Sequence, residues 1–365
     1  MRCSVNALGL TAAVLLGLAA PPGKAAEGFQ VRYNLAGTLA IEMFRPVARP
    51  GWVGGLTFSH ADIRKITGPG GDPLTLAVPG GTVPLPAPAP PALYGTYGPT
   101  TAQVHATGRL RQWNLMLGYL TAAPPESGRW LLGVNLPWGV RDQVYRLSNG
   151  APPVQWQAAV PAPARAAAGA RFNASYAAAL EAAGAAETGE ATGFGDLELQ
   201  TMWVRTGDRL RIATGAALVL PTGKYDAAAG PDISLGDFTT LRPSVQATWH
   251  ASAAVDIAAK LLAGINSRND DSGVRSGNWV GLEGAAGWRS PIGVLGVQAV
   301  RLQQVQDDSG GRFGANRFRS TTAGLFYTVP VAVIDGAFTV QYASTVASRN
   351  ARHGSFLQLR LISGF

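Results

Sequence analysis

Six aromatic residues close six runs of alternating apolar and polar residues: Tyr119, Trp203, Trp249, Trp288, Tyr327 and the terminal Phe365. The first five are each followed within a few positions by a short turn, such as Thr206-Gly207-Asp208, Ser290-Pro291 or Pro330-Val331. From Trp203 onward they recur about every forty residues, the length of two membrane-crossing strands with a turn and a loop. A soluble sandwich also repeats hairpins, but it has no reason to set an aromatic at the same end of the outward face each time. A transmembrane β-barrel has one, because amphipathic rings favour the membrane–water interface and form a girdle there. The expected fold is all-β: an antiparallel up-and-down transmembrane barrel with this row at its periplasmic rim.

Alternation assigns the two faces of each strand, since side chains in a strand repeat with period two. Leu241, Val245 and Trp249 share one face, and Arg242, Gln246 and Thr248 the other. Extended along the chain, this places Glu198, Arg209, Arg211, Arg242, Gln246, Asp256, Lys260, Glu283, Arg289, Arg301 and Arg360 on the inward, lumen-lining face. Two readings of that charge stay open: a basic lumen favouring carboxylate-bearing solutes, or charges that cancel across neighbouring strands. Between Val294 and Val305 both Leu295/Val297/Ala299 and Val300/Leu302 suit the lipid face, so a β-bulge is expected near Ala299. Counting back from the end gives about twelve strands from Gly51, an even number that leaves both barrel ends in the periplasm. Long loops then fall outside, at 63–108, 141–192, 221–237 and 306–317, with a short helix expected over Tyr176–Glu187. The two longest can cap the mouth or fold into the pore.

The ends of the chain carry their own signals. Residues 1–25 have the form of a secretory leader: Arg2, an apolar stretch from Ala7 to Ala20, then small residues at Gly23-Lys24-Ala25. Cys3 is the sole cysteine and would leave with it, so no disulfide, thiolate nucleophile or Cys-based metal site is expected in the mature chain. Residues 26–50 are a periplasmic segment, a plug or a further strand; a plug is favoured. Residues 51–365 are the barrel. The last strand alternates Leu357, Leu359 and Leu361 with Gln358 and Arg360 and ends at Phe365. It resembles the C-terminal strand by which the barrel-assembly machinery recognises outer-membrane proteins, which implies that machinery as a partner, with lipid and lipopolysaccharide around the finished barrel.

The net charge is +8, or +6 without Arg2 and Lys24. Its Lys and Arg are scattered singly, and no basic helix or RNA-binding aromatic motif is present, which argues against nucleic acid. For hydrolysis, His60 with Ser59 and Asp62 is the best cluster, but adjacent strand residues point to opposite faces, so no catalytic residue is assigned. Asp270-Asp271 and Asp307-Asp308 are solvated loop pairs rather than a Ca²⁺ site. No metal or other cofactor is expected.

The most distinctive local motif is Leu220-Pro221-Thr222-Gly223-Lys224-Tyr225-Asp226. It is not a phosphate-binding loop, because Leu218 stands where a glycine is needed and Tyr225 where Ser or Thr must follow the lysine. It reads as a strand exit: Pro221 ends the ladder, Gly223 allows the turn and Tyr225 returns to the interface. With Gly193-Phe194-Gly195-Asp196 opening the preceding strand, it resembles the outer-membrane family named for the meta-pathway of phenol degradation. The residues that carry the likeness are Leu220, Pro221, Thr222, Gly223, Tyr225 and Asp226, after the Gly-Asp strand start. The resemblance implies a transporter for small hydrophobic or aromatic compounds.

Overall fold

The computed structural model describes residues 29–42, 49–226, 230–310 and 316–365. The leader expected over 1–25 lies outside them. In chain order come a helical turn α1 (Leu39–Glu42), β1 (Gly51–Ile66), β2 (Thr75–Val78), β3 (Gly81–Val83), β4 (Gly95–Tyr97), β5 (Thr100–Leu120) and β6 (Arg129–Ser148). A helix α2 (Ala162–Ala185) follows, then β7 (Gly189–Phe194), β8 (Leu197–Thr206), β9 (Leu210–Leu220), β10 (Thr240–His250) and β11 (Val255–Asn266). The chain ends with β12 (Trp279–Ser290), β13 (Gly293–Gln304), β14 (Arg319–Val331), β15 (Gly336–Arg349) and β16 (Arg352–Gly364).

Each long strand pairs antiparallel with its sequence neighbour, and the sheet closes where β1 meets β16, from Val53↔Gly364 to Ile66↔Arg352. Closure is what membrane burial demands, because an open edge would leave backbone N–H and C=O groups without partners in lipid. β7 and β8 form one barrel strand interrupted at Gly195-Asp196; β6 pairs with both, at Trp138↔Phe194 and Trp130↔Trp203. The result is a closed barrel of 12 antiparallel strands. Its outward face carries the apolar set: Leu261 and Leu282 are 55% exposed, while their neighbours Lys260 and Glu283 are 7% and 1% exposed.

The aromatic row lies on the outward face at the short-turn end. Trp249, Trp288 and Phe365 are exposed, Tyr119 packs edge-on to Trp52, Trp203 is paired with Trp130, and the Tyr327 hydroxyl donates to the Ile292 carbonyl at 2.7 Å. Further up the wall a second aromatic patch follows one register line, Phe58↔Trp113↔Trp138↔Phe194.

At the other end the strands outrun the membrane. β5 and β6 have 21 and 20 residues, and the loops fold onto their tips. There β2 joins β5, β3 and β4 form a hairpin, and α2 packs Phe172, Tyr176 and Leu180 against Val83, Leu85 and Tyr97. The helix begins at Ala162 rather than Tyr176. Pro161 starts it and the alanines that follow sustain it, while three large residues spaced four apart bury one face.

Several expectations of facing are corrected. The β12–β13 and β13–β14 ladders run through Ala299 in unbroken register, and the shifts fall instead between Thr321 and Thr322 and between Ile63 and Lys65. Val300 and Leu302 therefore face inward and are buried, which sends Arg301 outward, where it donates to Thr321 Oγ1 at 3.1 Å. The cause is that part of the interior is apolar: Val300, Leu302, Trp279, Phe318 and Phe356 form a cluster with Val31 and Leu35. Arg209 lies exposed in the turn before β9, not in the wall. Asp335 lies outside the wall strands, ending the helical turn 332–334 in the left-handed region, at φ 44°.

Candidate functional site

Residues 29–42 lie inside the barrel, and their backbone polar groups are met by inward side chains of β10–β16. Thr38 N–H and Leu39 N–H both donate to Glu283 at 2.9 Å, and the Tyr33 hydroxyl donates to the same carboxylate. Gln298 and Gln341 each donate to the Ala36 carbonyl at 2.9 Å, and Thr322 donates to the Leu35 carbonyl at 2.7 Å. At the short-turn end Glu42 pairs with Lys260 at 3.0 Å. Gly37 is required at the closest approach: its φ is +76°, and a Cβ there would lie 2.4 Å from Val300 Cγ2 and 2.5 Å from Glu283 Oε2. Leu39 and Ala40 bury against Ala258, Ala285 and Phe326.

At the long-loop end the same segment is held through Arg32. Its guanidinium pairs with Asp196 at 3.1 Å, with side chains 2% and 9% exposed, and donates to the carbonyls of Gly236 and Phe238. Asp196 also accepts from Ser234 Oγ at 2.7 Å and from Gly223 N–H at 3.2 Å. Thr222 Oγ1 accepts the Leu197 N–H at 2.8 Å. A Cβ at Gly223 would lie 2.9 Å from Gly195 Cα. The two halves of the distinctive motif thus meet, with Asp196 linking the β7–β8 break, the exit of β9 and the segment in the lumen. Pro221 leaves the ladder and Leu220 remains in it, paired with Leu197. Tyr225 and Asp226 continue the loop, Asp226 N–H donating to Asp232 at 3.2 Å.

The segment sits against one side of the barrel and leaves the other open. A cavity of about 620 Å³ is bounded by β1, β5, β6, β8, β9, β10, β11 and β16 on the wall side and by residues 30–35, 38, 41 and 42 of the segment. Its lining runs from Pro125, Arg129 and Thr206 near the short turns to Arg141, Ile233 and Arg352 near the loops. It mixes apolar groups (Met116, Leu131, Met202, Phe356) with amides and cations (Gln112, Gln200, Gln358, Arg211, Arg360).

Of the residues expected in the lumen, Glu198, Arg211, Arg242, Gln246, Lys260 and Arg360 line this cavity. Glu283 faces inward but is covered by the segment. Asp256 and Arg289 face inward at the rim, where Arg289 contacts Asp256 at 2.6 Å and His250 Nδ1 lies 2.6 Å from the same carboxylate. Arg209 and Arg301 do not reach it. Much of the charge is locally matched, since Arg242 pairs with Glu198 and Lys260 with Glu42 rather than with Asp256. Ser59 faces inward and accepts from Gln358 Nε2 at 3.1 Å. Asp307 pairs with Arg317 at 2.5 Å, and Asp308 accepts from Gly277 N–H and Gln304 Nε2 at 2.7 Å, so both order loops. No group of three or more His, Cys, Asp or Glu side chains suited to a metal occurs among the described residues.

Sequence reasoning did not single out Arg32, Asp196 as an anchor, Glu42, Arg141 or Arg352. Arg32 and Glu42 are the charged residues of a stretch, 29–42, that alternates apolar with polar residues, a signal that it is seated against walls of both kinds.

A family model described as "Putative MetA-pathway of phenol degradation" matches residues 98–361. Among solved structures, the COG4313 outer membrane channel from Pseudomonas putida F1 superposes with a TM-score of 0.61 at 13% identity, covering 88% of this chain and 97% of that one. The β domain of the Bordetella autotransporter BrkA gives 0.44 at 11% identity, covering 87% and 100%. The CymD monoaromatic hydrocarbon channel gives 0.37 at 10%, covering 94% and 97%. No curated protein matches the sequence. The first of these structures establishes the fold, that of an outer-membrane barrel, and the family match extends over most of the chain: it belongs to the phenol-degradation MetA-pathway family.

Proposed function

We propose that this member of the phenol-degradation family is an outer-membrane channel for small apolar or aromatic compounds, and that residues 29–42 act as a plug regulating its opening. The observation that carries the reading is the cavity along β1, β5, β6, β8 and β9, whose lining runs the depth of the barrel and alternates apolar with polar groups. A water-filled porin would have a more uniformly polar lumen, whereas thioether and leucine side chains here offer a path to solutes that partition poorly into water. The segment is held by side-chain contacts, polar and apolar, which can break and re-form without disturbing the ladder of the wall.

The same reading has residues 1–25 cleaved on export, the barrel-assembly machinery inserting the barrel, and lipid and lipopolysaccharide against the outward face with its aromatic girdle. It includes no catalytic step: Ser59 and His60 are neighbours on β1 and take opposite faces. The test is growth and uptake on a panel of aromatic hydrocarbons, phenols and aromatic acids, with the gene deleted and restored. Restored uptake of aromatic solutes with no gain for sugars or amino acids is expected. Equal uptake of the whole panel by both strains would sink the proposal.

A further inference from the structure

Two cations on the cavity wall are matched by acids, Arg242 by Glu198 and Lys260 by Glu42. Arg360 differs. Its hydrogen-bond contacts are the Ile41 carbonyl at 3.5 Å and the Met116 sulfur at 4.0 Å, both neutral, and the nearby Glu42 is already engaged by Lys260. Strand register sets Thr57 of β1 beside Arg360 and Asn114 of β5 beside Thr57, and all three line the cavity. The Asn114 carbonyl oxygen accepts from Gln112 Nε2 at 2.9 Å, so its own N–H groups remain for the cavity. A guanidinium, a hydroxyl and an amide thus face one space from three adjacent strands, a donor set that suits a planar carboxylate. Toward the short turns the same space is walled by Met116, Met202 and Leu131, whose pliable apolar side chains suit the face of a ring.

From this juxtaposition we infer that Arg360, Thr57 and Asn114 form a carboxylate subsite of the channel, and that it takes a monoaromatic acid with its ring on the methionine wall. The inference rests on the channel reading and narrows its solute class. Neither acetate, which lacks the ring, nor toluene, which lacks the charge, can use both halves of such a site.

The experiment is equilibrium dialysis of radiolabelled benzoate, acetate and toluene against the full chain in lipid nanodiscs, with empty nanodiscs subtracted. Saturable benzoate binding at least tenfold tighter than acetate is expected. Arg360→Gln should weaken benzoate about tenfold and leave toluene within twofold. Arg360→Lys should keep most of the benzoate binding, and Asn114→Leu, which touches no anchor of the luminal segment, should lower it severalfold. Heat-modifiable migration on gels verifies that each variant is folded. Benzoate binding that survives Arg360→Gln, a parallel fall of toluene, or indifference to Asn114→Leu would each overturn the subsite. Aromatic uptake by cells could still succeed in that event, so the channel reading and the subsite fail separately.

Discussion

Replacing Glu283 by Ala should unseat the luminal segment while leaving the barrel intact. The Glu283 carboxylate is 1% exposed and accepts from Thr38 N–H, Leu39 N–H and the Tyr33 hydroxyl. Hydrogen bonds to a charged acceptor contribute about 1.5–3 kcal/mol each, and a buried donor left without an acceptor costs about 1–3 kcal/mol. Two effects reduce the sum: the carboxylate no longer has to be held out of water, and the cavity can admit water to the stranded donors. A net loss of about 2–3 kcal/mol for the seated state is reasonable, which corresponds to about a 30- to 150-fold rise in the unseated population. Ala285, buried under Leu39 and Ala40, reports that population directly. An Ala285→Cys reporter should react slowly with a water-soluble maleimide, and about 30-fold faster or more when combined with Glu283→Ala, with single-channel conductance rising in parallel. The wall ladder does not involve the Glu283 side chain, so heat-modifiable migration should be unchanged. Unaltered labelling and conductance in a folded Glu283→Ala barrel would refute the idea that this carboxylate anchors the segment.

Asp196→Ala should leave the buried Arg32 guanidinium without its counter-charge, although the Gly236 and Phe238 carbonyls remain, at a cost of up to about 3–5 kcal/mol for half a buried pair, and be seen as faster proteolysis of the 221–239 loop and faster Ala285→Cys labelling; Asp196→Asn, which keeps an acceptor for Ser234 and Gly223, should do less. Gly37→Ala forces a side chain into Val300 and Glu283 at positive φ and should raise conductance as Glu283→Ala does, whereas Gly169→Ala on α2, where a Cβ meets nothing within 4 Å, should be silent. Cysteines at Ser244 and Gln246, which line the cavity, should react with water-soluble maleimide in the folded barrel and those at Leu241 and Val245 should not, while Val245→Arg should cost about 2–4 kcal/mol at the lipid face; equal labelling of both sets would contradict the register. Reversal potentials in a salt gradient should show anion preference that weakens in Arg242→Glu and Lys260→Glu, and cation preference in the unmodified protein would contradict a basic lumen.

The wall was legible because it answers to local rules. Period-two alternation and an aromatic at each short turn suffice to place Leu241, Val245 and Trp249 outside and Arg242, Gln246 and Lys260 inside, since lipid tolerates only one of the two faces. The Gly195-Asp196 and Pro221-Thr222-Gly223 signals were visible as turn chemistry and as a family resemblance, but not as parts of one anchor. Where alternation misled, at Val300 and Leu302, the inward face meets the protein's own apolar segment and not water, so hydrophobicity no longer distinguishes inside from outside. Arg301 was misassigned for the same reason. The seating of residues 29–42, the pairing of Arg32 with Asp196 and of Glu42 with Lys260, and the cavity left on the far side join positions some 160 to 320 residues apart or depend on which wall the segment chooses. Strand periodicity is a property of neighbours along the chain and carries no record of such choices. They follow from closure, which brings β1 against β16 and gives the segment a chamber whose side chains can satisfy its backbone.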